Sequence, residues 1–515
     1  VDVGGTNTDA VLMAGRTLIA SFKTATTACV ERGVFQAINT LLQTEGIGAH
    51  AIKGVMIGTT QFTNAFIERR RLTPIGVIRI AAPATTSVPP LYDWPPDLLE
   101  AVGNHAVIVG GGYEFDGRAP VPLDEQAVAA AARDFRRLGI RAVALSCSFA
   151  PVDPAMEQRA AVIVAHEMPE ARISQSSAFG RIGLLERENA TAMNASLGDL
   201  AAGVIGSFRQ ALKSIGITAP FFISQNDGTL MTADDVERRP VLTFASGPTN
   251  SMRGAALLSG LEDAIVLDIG GTTSDLGCLQ HGFPRESAVA VDIGGVRTNF
   301  RMPDLVSLGL GGGSLVLGDG PVRVGPQSVG YELTERALVF GGTILTATDI
   351  AVAAGLADIG DRSRILHLPA ATIDAALTEI HRLIEDAIDR IKTRRQNLPL
   401  VLVGGGSLLI SRPLKGVSDV RMPENFSVAN AVGAAIAQVG GEVDSYFSYA
   451  EQGRDSVLAA AKQTARQDAV RAGAEPASVR IVEIEEVPLG YLPGRTVRVR
   501  VKAVGDLRLN DAARG

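Results

Sequence analysis

Two aspartates, Asp2 and Asp268, lead the same short frame: an aspartate, an apolar residue, two glycines, a threonine, two polar positions and a second aspartate. The first copy reads VDVGGTNTDAVL at 1–12 and the second AIVLDIGGTTSDL at 264–276, so the leading aspartates stand 266 residues apart. Apolar runs on either side of the glycines predict strand, tight turn and returning strand. Glycine lets backbone N–H groups approach and cup an anion, and an aspartate at such a turn can hold a magnesium ion, usually through waters. Two such hairpins facing each other would clasp a nucleotide polyphosphate. One copy alone would favour an ordinary tight turn; two near-identical copies favour the clasp. Neither copy has the spacing of a P-loop or of a dinucleotide-binding turn, both of which open a helix. The second aspartates, Asp9 and Asp275, are candidates either to orient a nucleophile or simply to cap their turns.

The elements that must position these groups follow from a chain of 515 residues, 46% hydrophobic and 20% charged, enough for several domains with ample core. A net charge of −7 gives no reason to expect nucleic acid as a partner. The three cysteines, Cys29, Cys147 and Cys278, are far apart and show no C-x-x-C spacing, which argues against a disulfide framework or a zinc site and fits a reducing cytoplasm. No apolar run approaches the ~20 residues of a membrane span, and no signal peptide precedes the first motif. The chain opens without Met and directly in a strand, so a few further residues are expected before Val1.

After the first hairpin an amphipathic helix is expected at 31–42, and then VMIGTTQFTNAFIERR at 55–70: a strand, a Gly-Thr-Thr turn and a helix containing Asn64. Thr59, Thr60 and Asn64 present groups that suit either a ligand or helix capping. The proline-rich stretch 81–96 holds the only tryptophan, Trp94, and reads as a wrapped loop or a partner-binding arm rather than a central strand. A helix at 125–138 and a strand at 142–149 continue a β/α alternation. Residues 182–212 read as strongly helical, with Asn189 and Asn194 as candidates to line a cleft. FASGPTNSMRGAALL at 244–258 feeds a helix N-terminus where Ser246 and Gly247 could meet an anion or a carbonyl. Two GGGS stretches stand at 311–314 and 404–407, the second capping the apolar run PLVLV. An amphipathic packing helix is expected at 373–395, and a small-residue helix suited to tight packing at a hinge at 427–441. In the tail an alanine-rich helix at 455–473 precedes two strands that read as a hairpin with one wet face.

Together these segments carry a resemblance. The two hairpins and the later VGGG at 403–406 resemble the phosphate 1, phosphate 2 and adenosine motifs of the actin, heat-shock-chaperone and sugar-kinase ATPase superfamily. More narrowly, VDVGGTNTD, IGTTQFTNAFIER, SQNDGTLMTADDVERRPVLTFASGP, VLDIGGTTSDL, LGLGGGS, VRVGPQSVG and VGGGS resemble the hydantoinase/oxoprolinase family, A-type subunits, across 1–437. The resemblance implies an α/β, two-lobed actin-like ATPase with ribonuclease H-like repeats and a small C-terminal α+β appendage. The segments would be an N-terminal lobe at 1–180, an ATPase lobe at 181–440 and the tail at 441–515. It implies ATP and Mg2+ as cofactors, with Asp2 and Asp268 holding the metal. Gly4, Gly5, Thr6, Gly270, Gly271 and Thr272 would cradle phosphates, and Gly404, Gly405 and Gly406 would border adenine. Asp268, Asp9 and Asp275 would then be the catalytic candidates, and Thr59, Thr60, Asn64, Ser246 and Gly247 would face a small cyclic amide. The reaction implied is ATP-coupled opening of a hydantoin, 5-oxoproline or other lactam through phosphorylation of the amide oxygen. A B-type hydantoinase subunit would be the partner in a hetero-oligomer.

Three stretches depart from the family pattern. Many relatives carry D-I-H-T where this chain has DLVS at 304–307, N-G-G where it has Asn226-Asp227-Gly228, and S-G-P-A-A-G where it has SGPTNS at 246–251. If the histidine does chemistry in those relatives, this protein uses another group or handles a different substrate. Two alternatives stay open: a small-molecule kinase of the same superfamily, and a nucleotide-binding assembly protein without turnover.

Overall fold

The computed structural model describes residues 1–509 except 5–6, 26–29, 180–181, 288–289, 300–301, 319–320, 437 and 491–494. Gly5 and Thr6, two of the expected phosphate-cradling residues, and Cys29 therefore lie outside the described residues.

The repeated sequence frame produces a repeated topology. In the first copy Asp2–Val3 and Asn7–Ala14 pair antiparallel, with Asp2 opposite Asp9. In the second, Ala264–Ile269 and Ser274–Gln280 do the same, with Asp268 opposite Asp275. Each leading strand then takes a parallel partner on its other side: Val55–Thr59 in the first sheet and Leu400–Val403 in the second. Parallel strands buried on both faces read as continuous apolar runs, which is why VMI and LVLV flank the glycines of both partner strands.

The first sheet has six strands, ordered Leu230–Thr232, Phe221–Ser224, Val55–Thr59, Asp2–Val3, Asn7–Ala14 and Thr17–Ala25. The second runs Phe283–Pro284, Ser274–Gln280, Ala264–Ile269, Leu400–Val403 and Val420–Arg421, with Leu305–Leu308 also paired to Ser274–Gln280. Strands at 221–232 thus complete the sheet that begins at Asp2. The second sheet rests on the helix Ala370–Ile391, whose Ile380, Ile384, Ile388 and Ile391 are buried as its periodicity requires. A separate four-stranded parallel sheet, ordered His105–Gly110, Ile75–Ala82, Ala142–Cys147 and Arg172–Gln175, lies between helices such as Glu125–Arg137 and Leu184–Ser196.

Several sequence expectations change. The helical region 182–212 is two helices, Leu184–Ser196 and Gly198–Ser214. Asn189 and Asn194 line no cleft: both are buried, Asn189 accepting from Trp94 Nε1 at 2.8 Å and Asn194 donating to Ser174 Oγ and the Arg238 carbonyl. Trp94 itself is buried, so the proline-rich stretch is a wrapped loop. The small-residue helix covers only Ala429–Ala434, and from Gln438 the chain is a strand, Gln438–Ser448. Gly441 lets that strand pack closely, because a Cβ there would lie 2.2 Å from the Ala465 carbonyl oxygen of the helix Arg454–Arg471.

That strand joins the tail as one edge of a three-stranded sheet, ordered Gln438–Ser448, Thr496–Asp506 and Arg480–Pro488. The wet face expected of the tail holds for Arg480–Pro488 and fails for Thr496–Asp506, where both faces are buried. Its charged residues find distant partners. Arg500 contacts Glu286, Glu442 and Glu483, and Lys502 Nζ lies 2.8 Å from Asp227 Oδ2.

Candidate functional site

Both glycine turns close identically. The Gly4 N–H donates to the Asn7 carbonyl at 2.9 Å, and the Gly270 N–H donates to the Thr273 carbonyl at 2.9 Å. The turn of the second copy is propped from outside by the first GGGS stretch: the Gly312 and Gly313 N–H groups donate to the Gly270 and Gly271 carbonyls at 3.0 and 2.7 Å. This spends carbonyls on structure and leaves Thr272 exposed at the tip.

Each leading aspartate occupies space that a glycine on the neighbouring parallel segment leaves open. A Cβ on Gly58 would sit 2.1 Å from Asp2 Oδ1, and a Cβ on Gly404 would sit 2.2 Å from Asp268 Oδ1. Gly404 and Gly406 also press on Ile269, whereas a Cβ on Gly405 would meet nothing within 4 Å. Within the triplet expected to border adenine, then, two glycines serve close packing of the second hairpin and Gly405 faces open space.

Between the two aspartates runs the helix Ser246–Ser259, entered through Ala245 at φ 58°. Asn250 Nδ2 donates to Asp2 Oδ1 at 3.1 Å, and the next residue, Ser251, donates through Oγ to Asp268 Oδ2. Asn430, on the helix Ala429–Ala434, lies beside both carboxylates and 2.6 Å from Ser251 Oγ through its Oδ1. The two helices cross with backbones nearly touching: a Cβ on Gly254 would lie 1.9 Å from the Ala429 carbonyl oxygen, and one on Gly433 would lie 1.8 Å from that of Asn250. Sequence reasoning missed Asn250, Ser251 and Asn430, although the departure of SGPTNS from S-G-P-A-A-G was the available signal.

Burial pushes Asp2 and Asp268 each up to about 6, against the hydrogen bonds from Asn250 and Ser251 that favour their ionised forms. Among the described residues neither makes an ion pair with a lysine or arginine side chain. Asp9 and Asp275 are also raised by burial. Lys23 opposes this at Asp9 with an ion pair of 3.0 Å, and a hydrogen bond from Ser307 Oγ opposes it at Asp275. Ser307 belongs to the departing DLVS stretch. Val306, which stands where the relatives' histidine falls, is buried in the hydrophobic core of the second sheet, so its side chain supplies no acid or base to the cleft.

The residues expected to face a substrate lie near one another. Ser246 Oγ approaches the Thr59 carbonyl at 3.4 Å, a Cβ on Gly247 would meet Thr60 Cγ2 at 3.7 Å, and Asn64 Nδ2 donates to Thr60 Oγ1 at 3.3 Å. Thr59 Oγ1 accepts the Gln61 N–H at 3.3 Å at the start of the helix Gln61–Ile67, whose N-cap residue Thr60 makes no side-chain capping bond. Gln61 Oε1 is buried there without a hydrogen-bond partner.

Residues 1–168 match the hydantoinase/oxoprolinase N-terminal region, and residues 187–361 match the hydantoinase/oxoprolinase model, more than half of the chain between them. The chain belongs to the hydantoinase/oxoprolinase family. Its sequence is 27% identical to the caprolactamase subunit alpha of Pseudomonas jessenii over 468 residues, covering 84% of this chain and 65% of that one. It is 28% identical to the acetophenone carboxylase gamma subunit of Aromatoleum aromaticum over 263 residues, covering 48% of this chain and 36% of that one. The chain thus spans less than two thirds of the length of these curated relatives. Among solved structures, the ATP-dependent caprolactamase of Pseudomonas jessenii superposes with a TM-score of 0.77 at 20% identity, covering 99% of this chain and 87% of that one. Nucleotide-free acetone carboxylase superposes at 0.69 and 17% identity, covering 98% and 87%. These likenesses bear out the α/β, actin-like fold. No helix among the described residues is long and apolar enough to cross a membrane.

Proposed function

We propose that this chain is the ATP-using subunit of an enzyme that opens a cyclic amide such as a hydantoin, 5-oxoproline or another lactam. The observation that carries the reading is the convergence of two aspartates, Asp2 buried and Asp268 half-buried, from hairpins of equal topology, on one helix, with no cationic side chain among the described residues paired to either. Such a pair invites a divalent cation with bound phosphates. The relatives' names support the same direction, one being a caprolactamase subunit and one solved structure an ATP-dependent caprolactamase.

The residues fit magnesium. The described residues form no cluster of three or more His, Cys, Asp or Glu, but magnesium commonly takes only one or two carboxylates together with waters and substrate phosphates. Asp2 and Asp268 would hold it, and it would neutralise charge on the phosphates. The glycine turns, Gly4, Gly5 and Thr6 with Gly270, Gly271 and Thr272, would cradle those phosphates, and Gly405 would leave room for the base.

Phosphoryl transfer depends mainly on positioning and charge neutralisation, which this arrangement with a bound cation would supply. An amide carbon is a poor electrophile. In the proposed reaction the amide oxygen attacks the terminal phosphorus of ATP, the bond from that phosphorus to its bridging oxygen breaks, and ADP leaves. Water then adds to the activated carbon, and the ring carbon–nitrogen bond breaks as nitrogen takes a proton. A second water hydrolyses the resulting acyl phosphate. Asp275 and Asp9 are the candidates to orient the nucleophile, with Asp9 already engaged by Lys23. Thr59, Thr60, Asn64, Ser246 and Gly247 would face the amide, and the unpartnered Gln61 oxygen beside them suits a ring N–H donor. The DLVS stretch supplies no histidine, in keeping with a B-type partner that completes hydrolysis.

The test is phosphate release by purified protein, with and without a B-type chain, across hydantoins, 5-oxoproline and simple lactams. Substrate-stimulated release is expected, and Asp268→Ala should abolish it while the protein stays folded. The proposal would be falsified if ATP neither bound nor was cleaved under any of these conditions. A second reading rests on the likeness to the acetophenone carboxylase subunit, which points to activation of a ketone oxygen instead. ATP cleavage stimulated by ketones with bicarbonate, and not by lactams, would select it.

A further inference from the structure

We infer that Asn250 and Ser251, which stand where the S-G-P-A-A-G pattern has alanine and glycine, are positioning residues that set the two aspartates for a divalent cation. The inference rests on the reading of Asp2 and Asp268 as the cation-facing carboxylates. Alanine and glycine side chains offer no hydrogen-bond donor, whereas here two consecutive side chains each donate to one aspartate. Successive residues on a helix point about 100° apart, so one helical turn running between the hairpins reaches both carboxylates at once.

The donors are held rigidly. Asn250 and Ser251 are buried, and the close crossing of Ser246–Ser259 with Ala429–Ala434 fixes the helix backbone that carries them. A carboxylate has about four lone-pair sites. Asn250 on Asp2 and Ser251 on Asp268, with Asn430 hydrogen-bonded to both, stop the carboxylates from rotating and leave their remaining lone pairs for a cation or its waters. Ser251 also contacts Asn430, which lies beside both carboxylates, so the two hairpins are linked through neutral donors rather than through a lysine or arginine. Neutral donors orient the carboxylates without cancelling the charge that attracts the cation. Hydrogen-bond partners of metal ligands commonly carry about 10- to 100-fold of metal affinity.

Manganese(II) can report on this directly. Its binding in the presence of a non-hydrolysable ATP analogue is measured by the paramagnetic resonance of the free ion, for the full chain and for Asn250→Ala, Ser251→Ala and Ser251→Thr. Thermal unfolding is recorded alongside. Both alanine variants should lose about tenfold or more in manganese affinity with little change in melting temperature, and Ser251→Thr, which keeps the hydroxyl, should bind close to the parent chain. Alanine variants that bind like the parent would overturn the inference while leaving the aspartate reading intact. A threonine variant that loses as much as alanine, or alanine variants that do not fold, would make the pair structural and overturn it as well. If the parent chain binds no manganese, the aspartate reading itself falls and the inference with it.

Discussion

Replacing Gly404 with alanine tests whether the GGG triplet at 404–406 serves the aspartate before it serves the nucleotide. The new methyl carbon would lie 2.2 Å from Asp268 Oδ1 and 2.6 Å from the Ile269 carbonyl oxygen, where ordinary contact begins at 3.4 Å, so the carboxylate must retreat by about 1 Å. Gly404 also has φ 83° and ψ 155°, a conformation essentially restricted to glycine, which costs an alanine about 1–3 kcal/mol. A displacement of that size at a catalytic group costs on the order of 100-fold in rate, and strain with overpacking should lower stability by about 1–3 kcal/mol. Gly405→Ala is the internal control: its Cβ meets nothing within 4 Å, so unfolding should be unchanged, while the KM for ATP rises if the base packs there. The assay is ATP turnover with kcat and KM resolved, together with thermal unfolding, for both variants. Full turnover and unchanged stability in Gly404→Ala would refute the packing argument, as would equal loss of stability in Gly405→Ala.

The remaining predictions address charge and packing. Burial pushes Asp2 and Asp268 to about 6, and a cation needs both ionised. Manganese affinity should therefore climb through pH 6, by about tenfold per unit for each proton displaced, and level off above it; an affinity flat across that range would count against both aspartates as ligands. The same raised values mean that the folded chain holds extra protons between the ordinary carboxylate range and 6, so these two groups should make the protein less stable as pH rises through that window and leave stability level above it. Although burial works against it, Lys502 and hydrogen bonds donated by Thr229 hold Asp227 well below the usual carboxylate range. Lys502→Met strands that charge and should cost about 3–5 kcal/mol in denaturant unfolding, with Asp227→Asn restoring part of the loss in the double variant. Gly433→Ala places a methyl 1.8 Å from the Asn250 carbonyl oxygen; thermal unfolding should show a loss of about 1–3 kcal/mol, and manganese affinity should fall with it because Asn250 is displaced.

What the sequence by itself determined lies within reach of a few residues. The strand–turn–strand frames at Asp2 and Asp268, the apolar strand before Gly404, the packing face of Ala370–Ile391 and the tail strands all follow from apolar periodicity and from glycine at turns, properties that neighbouring residues carry together. The family resemblance then supplied the expectation of what those frames are for. Only the tertiary structure decided which residues stand between the two aspartates. Asn250 is 248 positions from Asp2, and Asn430 is 179 positions from Ser251. Gly58 and Gly404 likewise gain their meaning from a parallel neighbour whose carboxylate fills the space a side chain would need. The tail shows the same division, since alternation of valine and charge located the strand Thr496–Asp506, yet Arg500 and Lys502 are buried because Glu286 and Asp227 come from distant segments. A strand's pattern records its own pleat, but whether its charged face meets water or an opposite charge is settled by packing with chain far away in sequence.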